Sequence, residues 1–255
     1  MATVTILFLA ANPTDTSALR LDKECRQVGE RIRSAEHRDS VRLVSRWAVR
    51  TDDVIQALLE ERPYVVHFSG HGQTNGLVLE DHEGKSRTVT PKAILAVLKA
   101  IPDNLRLAVF NACDSLSLAK AAVKVLDSAI GMKRPIGDEA AVAFAGALYQ
   151  GMGFGRTLQE SFDLALAALQ MACVPEDSTP KLVLKRGGDA KSLRLIVPKS
   201  ASLAMPATGA VALWQEKLAV LIEAEAIETD AARKFQLSKQ IEEARRKISE
   251  LGGAA

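Results

Sequence analysis

The sequence predicts an α/β domain, a mainly parallel sheet flanked by helices, with a C-terminal α-helical hairpin appended. Three observations carry that expectation. Apolar strand-like runs alternate with amphipathic helical patterns over residues 1–198, the order that a parallel sheet with crossover helices requires. Composition then changes at "PKSASLAMPATGA" (198–210), rich in Pro, Ser, Gly and Ala and without strong periodicity, which reads as a linker. Beyond it, two helical patterns occupy the rest of the chain. The expected organisation is one domain over 1–198, a linker at 199–212 and a helical hairpin at 213–252. With 255 residues the chain is long enough for one sizeable core plus such an appendage.

The elements follow in order. "TVTILFLAA" (3–11) reads as a strand, and an amphipathic helix is expected from about Ser17 to Ser34. "SVRLVSRWAV" (40–49) alternates with period two as a second strand, and "TDDVIQALLEE" (51–61) is a capped helix starting at Thr51. "YVVHFS" (64–69) is a buried strand. "GLVLEDHEGKSRTV" (76–89) is a β-hairpin turning at His82–Gly84. A helix over 90–101 has Thr90 as N-cap and Pro91 at its first position. "RLAVFNA" (106–112) and "SAIGM" (128–132) are strands around a helix at 117–126, and two helices follow near 138–150 and 157–173. "KLVLK" (181–185) and "SLRLIV" (192–197), joined through Gly187–Gly188, are expected to close the sheet. In the hairpin, which divides at Thr229–Asp230, Leu237, Ile241, Ala244, Ile248 and Leu251 step by 4, 3, 4 and 3, a heptad-like seam.

Composition excludes several function classes. Thirty-three basic against 31 acidic residues leave a net charge of +2, with no electrostatic case for nucleic acid or a membrane surface. No apolar run approaches the roughly 20 residues that a membrane span needs. "VTILFLAA" is too short for the apolar region of a signal peptide and follows no basic segment, so a cytoplasmic chain is expected. The three cysteines are then reduced thiols and not a disulfide framework.

Chemistry concentrates in two stretches. "VVHFSGHG" (65–72) ends a β-branched and aromatic run in a histidine between two glycines. "LAVFNACDS" (107–115) ends another in a cysteine among polar residues. Ligands and chemistry gather at the carboxyl ends of strands in an open parallel sheet. If these two strands are neighbours, about 4.8 Å apart, His71 and Cys113 meet across a cleft, and the imidazole could generate a thiolate and later protonate a leaving group. Cys25 and Cys173 each continue an apolar helical stripe and are expected in the core. His67 reads as a satisfied core histidine; extended backbone separates it from His71 by about 13 Å, too far for a helix-type metal pair. His82 and His37 read as solvated turn and loop residues. No metal and no cofactor are expected. "GMGFG" (151–155) follows a helix and lacks the Lys–Ser/Thr of a phosphate-binding loop, so it reads as a helix end. A nucleotide-binding doubly wound domain is disfavoured, because "FLAANPTD" stands where its glycine fingerprint would be.

With "VVHFSGHG", "VFNACDS" and "AIGMKRPIGDEAAVAFAGALYQGMGFGRTLQESFDLA" (129–165) in order, the chain resembles the CHAT proteases of the caspase–separase group of cysteine peptidases over roughly 1–198. The resemblance implies a caspase-like fold and a cysteine endopeptidase acting on a protein substrate. It implies His71 as general base and acid, Cys113 as nucleophile, and the backbone N–H groups of Gly72 and Cys113 as an oxyanion hole. Glycine after the histidine would let the substrate carbonyl approach closely. Asp138 corresponds to a position facing the P1 side chain, the residue before the scissile bond, in separase-like relatives. Its alternative role is to cap the following helix, and Lys133 or Arg134 could neutralise it. The hairpin resembles helical adaptor segments of bacterial conflict and signalling effectors, which implies an activating or recruiting protein partner and a role in defence or regulated proteolysis. The rival reading is a catalytically silent scaffold of the same fold.

Overall fold

The computed structural model describes residues 3–74, 76–101, 104–196, 214–215, 217–219, 221–222, 224–225 and 231–250. In chain order the strands are β1 (Val4–Ala11), β2 (Val41–Arg46), β3 (Val65–Gly70), β4 (Gly72–Gln73), β5 (Gly76–Glu80), β6 (Ser86–Val89), β7 (Leu107–Asn111), β8 (Ser128–Met132) and β9 (Pro180–Leu184). The helices between them are α1 (Leu21–Arg33), α2 (Thr51–Glu61), α3 (Pro91–Ala100), α4 (Leu116–Ala122), α5 (Asp138–Gly153) and α6 (Leu158–Met171). A further helix, α7 (Ala231–Glu250), lies in the C-terminal segment.

A six-stranded sheet runs in the order β2-β1-β3-β7-β8-β9. Its pairs are parallel except the last, where β9 lies antiparallel to β8. Strands β4, β5 and β6 form a separate antiparallel sheet. The central strands are buried on both faces, which is why they read as continuous apolar runs. Leu7, Leu9, Val66, Phe68 and Phe110 pack with residues of α2, α3 and α4 on one face. Ile6, Val65, Val109 and Ile130 pack with Val28 of α1 and with Phe144, Leu148 and Phe162 of α5 and α6 on the other.

Local chemistry sets the helix boundaries. The Thr90 hydroxyl accepts from Ala93 N–H, and Thr157 and Glu160 form a reciprocal capping box at α6. Such caps stabilise a helix by about 1 kcal/mol. Helix α1 begins at Leu21 and not near Ser17, because residues 12–20 are held as a loop by Asn12, Thr14 and Asp15. The "GMGFG" segment ends α5 at Gly153, with Gly155 at φ +69° in the turn.

Three further expectations need correction. Residues 192–196 are not a strand, although Leu195 and Ile196 are buried. Their segment instead satisfies the start of α6: Leu158 N–H donates to the Leu193 carbonyl and Gln159 N–H to that of Ala190. Those are the donors that a helix start leaves without intrahelical partners. Val197 and the proposed linker lie outside the described residues. Cys173 is exposed, because α6 stops at Met171 and the chain turns through a positive φ of 55° at the cysteine. His37 is partly buried, its ring packed where a side chain on Gly155 would stand.

The chain divides into two compact units, Met1–Pro198 and Lys199–Ala255. In the second, Leu218, Ile241, Ala244 and Ile248 form a buried cluster with Trp214 and Leu221 against it. Ile241, Ala244 and Ile248 of the α7 seam thus pack with Trp214, Leu218 and Leu221 of the preceding segment. The turn at Thr229–Asp230 and Leu251 lie outside the described residues.

Candidate active site

Strands β3 and β7 are neighbours, paired in parallel with Ser69 opposite Asn111. Strand β3 ends at Gly70 and β7 at Asn111, so His71 and Cys113 both follow the carboxyl ends of neighbouring strands. Both flanking glycines have a steric reason. At Gly70, φ is +156° and an added Cβ would stand 2.6 Å from the Ala11 carbonyl oxygen. At Gly72 an added Cβ would stand 2.1 Å from the carbonyl oxygen and 2.9 Å from the nitrogen of Cys113. Glycine is required there because two backbones touch, a reason independent of any substrate.

The cysteine sits on a sharp turn from β7 into α4. Asp114, directly after it, has φ +52°, a left-handed conformation that Asp tolerates. Buried Ser115 fixes the turn: its hydroxyl donates to the Phe110 carbonyl at 2.8 Å and accepts from Met132 N–H at 2.9 Å. The Cys113 thiol lies 3.9 Å from the Ile136 carbonyl oxygen. Gly72 faces Leu77 beside the bond from Val78 N–H to the His71 carbonyl. In antiparallel alternation this makes Gly72 and Leu77 a non-hydrogen-bonded pair, so the Gly72 N–H turns away from β5.

His71 is partly exposed, and its Nε2 lies 2.8 Å from the Ser17 carbonyl oxygen. A carbonyl only accepts, so Nε2 carries the hydrogen and Nδ1 of the neutral ring keeps the lone pair. The loop that presents Ser17 is itself anchored on the β5–β6 hairpin. Thr14 N–H and hydroxyl donate to the Gly84 carbonyl, and Asp15 accepts from the Ser86 N–H and hydroxyl. The Ser86 hydroxyl is the main cause that holds the Asp15 carboxyl below its usual range.

Asp138 is the first residue of α5 and not its cap, a position taken by Gly137. Its Oδ2 accepts from Arg20 N–H at 3.1 Å. Lys133 and Arg134 are exposed, and Arg134 donates to Ser178. The cation beside Asp138 is Arg20, whose guanidinium is held more basic than usual first by its hydrogen bond to Asp22 and also by the charge of Asp138. His71, Cys113 and Asp138 line one narrow cleft of about 30 Å³, together with Glu24, Ser69 and Asn111.

His67 is fully buried, stacked on Phe8 with ring centroids 4.8 Å apart. Its Nε2 lies 2.7 Å from Glu24 Oε1 and its Nδ1 lies 3.0 Å from the Tyr149 hydroxyl. Burial pushes the Tyr149 phenol well above its ordinary range, so it remains a donor. A neutral imidazole satisfies both contacts. Glu24 and Ser17 escape the sequence reading. A backbone carbonyl leaves no residue-type signal, but Glu24 interrupts the apolar face of α1, three residues after Leu21 and four before Val28. Among the described residues, no group of three or more His, Cys, Asp or Glu is placed to hold a metal ion. No helix there is long and apolar enough to cross a membrane.

Fold and site together define a class: a caspase-like α/β domain with a histidine and a cysteine at the ends of adjacent parallel strands. The CHAT domain family model matches residues 5–181, and the chain belongs to that family. A relative from Gillisia limnaea, described as a probable protease, is 26% identical over 178 residues, which are 67% of this chain and 31% of the relative. The chain thus spans about a third of that relative's length. Among solved structures, the secreted C11 cysteine protease from Bacteroides thetaiotaomicron, in complex with an irreversible peptide inhibitor, superposes with a TM-score of 0.52 at 12% identity. That likeness covers 72% of this chain and 66% of the other, and it is a likeness of fold.

Proposed function

We propose that the chain is a cysteine endopeptidase that cleaves a protein substrate with Cys113 as nucleophile and His71 as general base and acid. One observation carries the reading: Gly72 lies against the Cys113 backbone, so the residue after the histidine and the cysteine share one point in space. His71 Nδ1 takes the thiol proton while the Ser17 carbonyl holds Nε2–H and steadies the ring. The thiolate attacks the scissile carbonyl, and the oxyanion forms beside the Gly72 and Cys113 N–H groups. The imidazolium then protonates the leaving amine, and water hydrolyses the thioester with His71 as base.

Asp138 supplies negative charge beside the nucleophile and favours a basic P1 residue. The hairpin recruits an activating or targeting protein, and the biological setting is defence or regulated proteolysis. A cleavage profile of a peptide library tests the peptidase reading. Wild type should yield a defined P1 preference and Cys113→Ala none. Equal cleavage by both would refute it.

A further inference from the structure

The cleft at the dyad is small. It measures about 30 Å³, and its inner wall is occupied by Glu24, which is 2% exposed and accepts from His67, Ser69 and Asn111. Such a cleft selects at the scissile bond and little beyond it. A much larger cavity adjoins it. Arg20, Asp138 and Val142 line both the cleft and a groove of about 770 Å³ that lies over α5, between α1 and α6. A second cavity of about 500 Å³ continues the groove: Ala147, Gln150, Ala168 and Met171 line both, and the second reaches Phe154 past the end of α5. Helix α5 has 16 residues, so the floor runs for about 24 Å.

The two walls differ. Helix α1 contributes Lys23, Gln27 and Arg31, a stripe stepping by four, and the Arg31 guanidinium donates to the neutral Gln27 amide. Helix α6 contributes Leu164, Ala168 and Met171, with Leu164 half exposed and Met171 87% exposed. The floor between them includes Ala143 and Ala147, small enough for another backbone to come close. The carboxylates of the lining stand at the ends: Asp138 and Glu139 in the first turn of α5, and Glu36 beyond the end of α1. Along its length the groove is thus cationic on one wall and apolar on the other. Large apolar side chains left together at a surface mark a docking site.

We infer that this groove docks an amphipathic helix of the protein substrate, apolar where it meets α5 and α6 and acidic on the flank that meets α1. The inference rests on the peptidase reading above and adds a recognition element outside the cleft. Continuity with the cleft at Arg20, Asp138 and Val142 assigns the groove to the molecule being cut. The surrounding helices satisfy their own backbone groups, so they offer no ladder to an extended segment, whereas a docked helix brings its bonds with it.

The test uses the full chain carrying Cys113→Ala and a displayed library of helical peptides about 16 residues long. Enriched peptides should carry apolar residues at i, i+3, i+4 and i+7, flanked by Asp and Glu. Lys23→Glu with Arg31→Glu, both at exposed positions, should reverse the flank preference to Lys and Arg. Ala147→Trp fills the groove and should weaken the best peptide by at least about tenfold. Joined by a flexible linker to the short peptide that wild type cleaves fastest, the best helix should raise kcat/KM by about tenfold or more, through KM. Enriched peptides without the apolar stripe, or a flank preference that survives the charge reversal, would overturn the inference. So would a free helix that speeds hydrolysis of the short peptide, the mark of an activator's site. Equal hydrolysis of short peptides by wild type and Cys113→Ala would instead refute the peptidase reading, so the two failures are distinguishable.

Discussion

Gly72 and Cys113 touch through their backbones: a Cβ on residue 72 would stand 2.1 Å from the Cys113 carbonyl oxygen. The histidine and the cysteine are thereby locked in register by a contact that only glycine permits. Gly72→Ala should push the two strand ends apart. The contact is backbone and cannot rotate away, so overpacking of about 1–3 kcal/mol is expected. Melting temperature should fall by about 2–4 °C for each kcal/mol, and peptide cleavage should fall far more than stability does. Thermal melts beside kcat/KM for one peptide measure both, and a fully active variant would contradict the geometry.

Cys113→Ala and His71→Ala should each lower kcat/KM by several orders of magnitude, and the double variant should be little worse than either single one. Both side chains are partly exposed at strand ends, outside the packed core. Melting temperatures should therefore stay close to wild type. Additive losses in the double variant would show that the two residues do not act as a unit.

Much of this was legible in the sequence, for identifiable reasons. Strands buried on both faces announce themselves as apolar runs, so β1, β3, β7 and β8 were readable at once. His71 and Cys113 stand out because polar, glycine-flanked residues end such runs. The order of strands is not written locally; that β3 neighbours β7 comes from tertiary pairing. The segment at 192–196 carries a strand's apolar alternation, yet it pairs with no strand and its Leu193 carbonyl accepts from Leu158 N–H at the start of α6. Cys173 continued a stripe on paper only, since the stripe holds no meaning once α6 has ended. Glu24 was visible as a charge within an apolar face, but its three partners come from β3 and β7.

Asp138→Asn should separate pocket charge from helix stability. Gly137 is the cap, so removing the charge at the first helical position should shift the melting temperature little, within the roughly 0.3–1 kcal/mol of a dipole interaction. Cleavage after arginine should drop by about tenfold or more if the carboxylate faces the guanidinium. An unchanged P1 profile would reduce Asp138 to a partner of the Arg20 backbone.

Thiol alkylation offers a check that needs no substrate. Burial, more than any other cause, pushes the Cys25 thiol up, so less of it is thiolate at neutral pH. Its labelling should become appreciable only as the pH rises. Cys173 is exposed and should label as an ordinary thiol. In a Cys173→Ser background, iodoacetamide at neutral pH should modify Cys113 ahead of Cys25, and His71→Ala should slow it. Peptide mapping by mass spectrometry reads the order, and faster labelling of Cys25 would contradict it.

The hairpin holds its own apolar cluster, with Ala244 and Ile248 fully buried. Removing residues 199–255 should leave a folded domain that still cleaves short peptides, while Ala244→Asp in the full chain should cost helix content through an unpaired buried charge. Circular dichroism and peptide hydrolysis test the two parts. An insoluble truncated chain would place the hairpin within the domain's core.

The most direct test of the proposed chemistry is intact-mass spectrometry after incubation with a peptidyl chloromethyl ketone carrying arginine at P1. Wild type should gain one adduct, mapped by digestion to Cys113, and His71→Ala should gain it at least about a hundredfold more slowly. An adduct on Cys25 or Cys173 with Cys113 unmodified, or equal rates in wild type and His71→Ala, would contradict it.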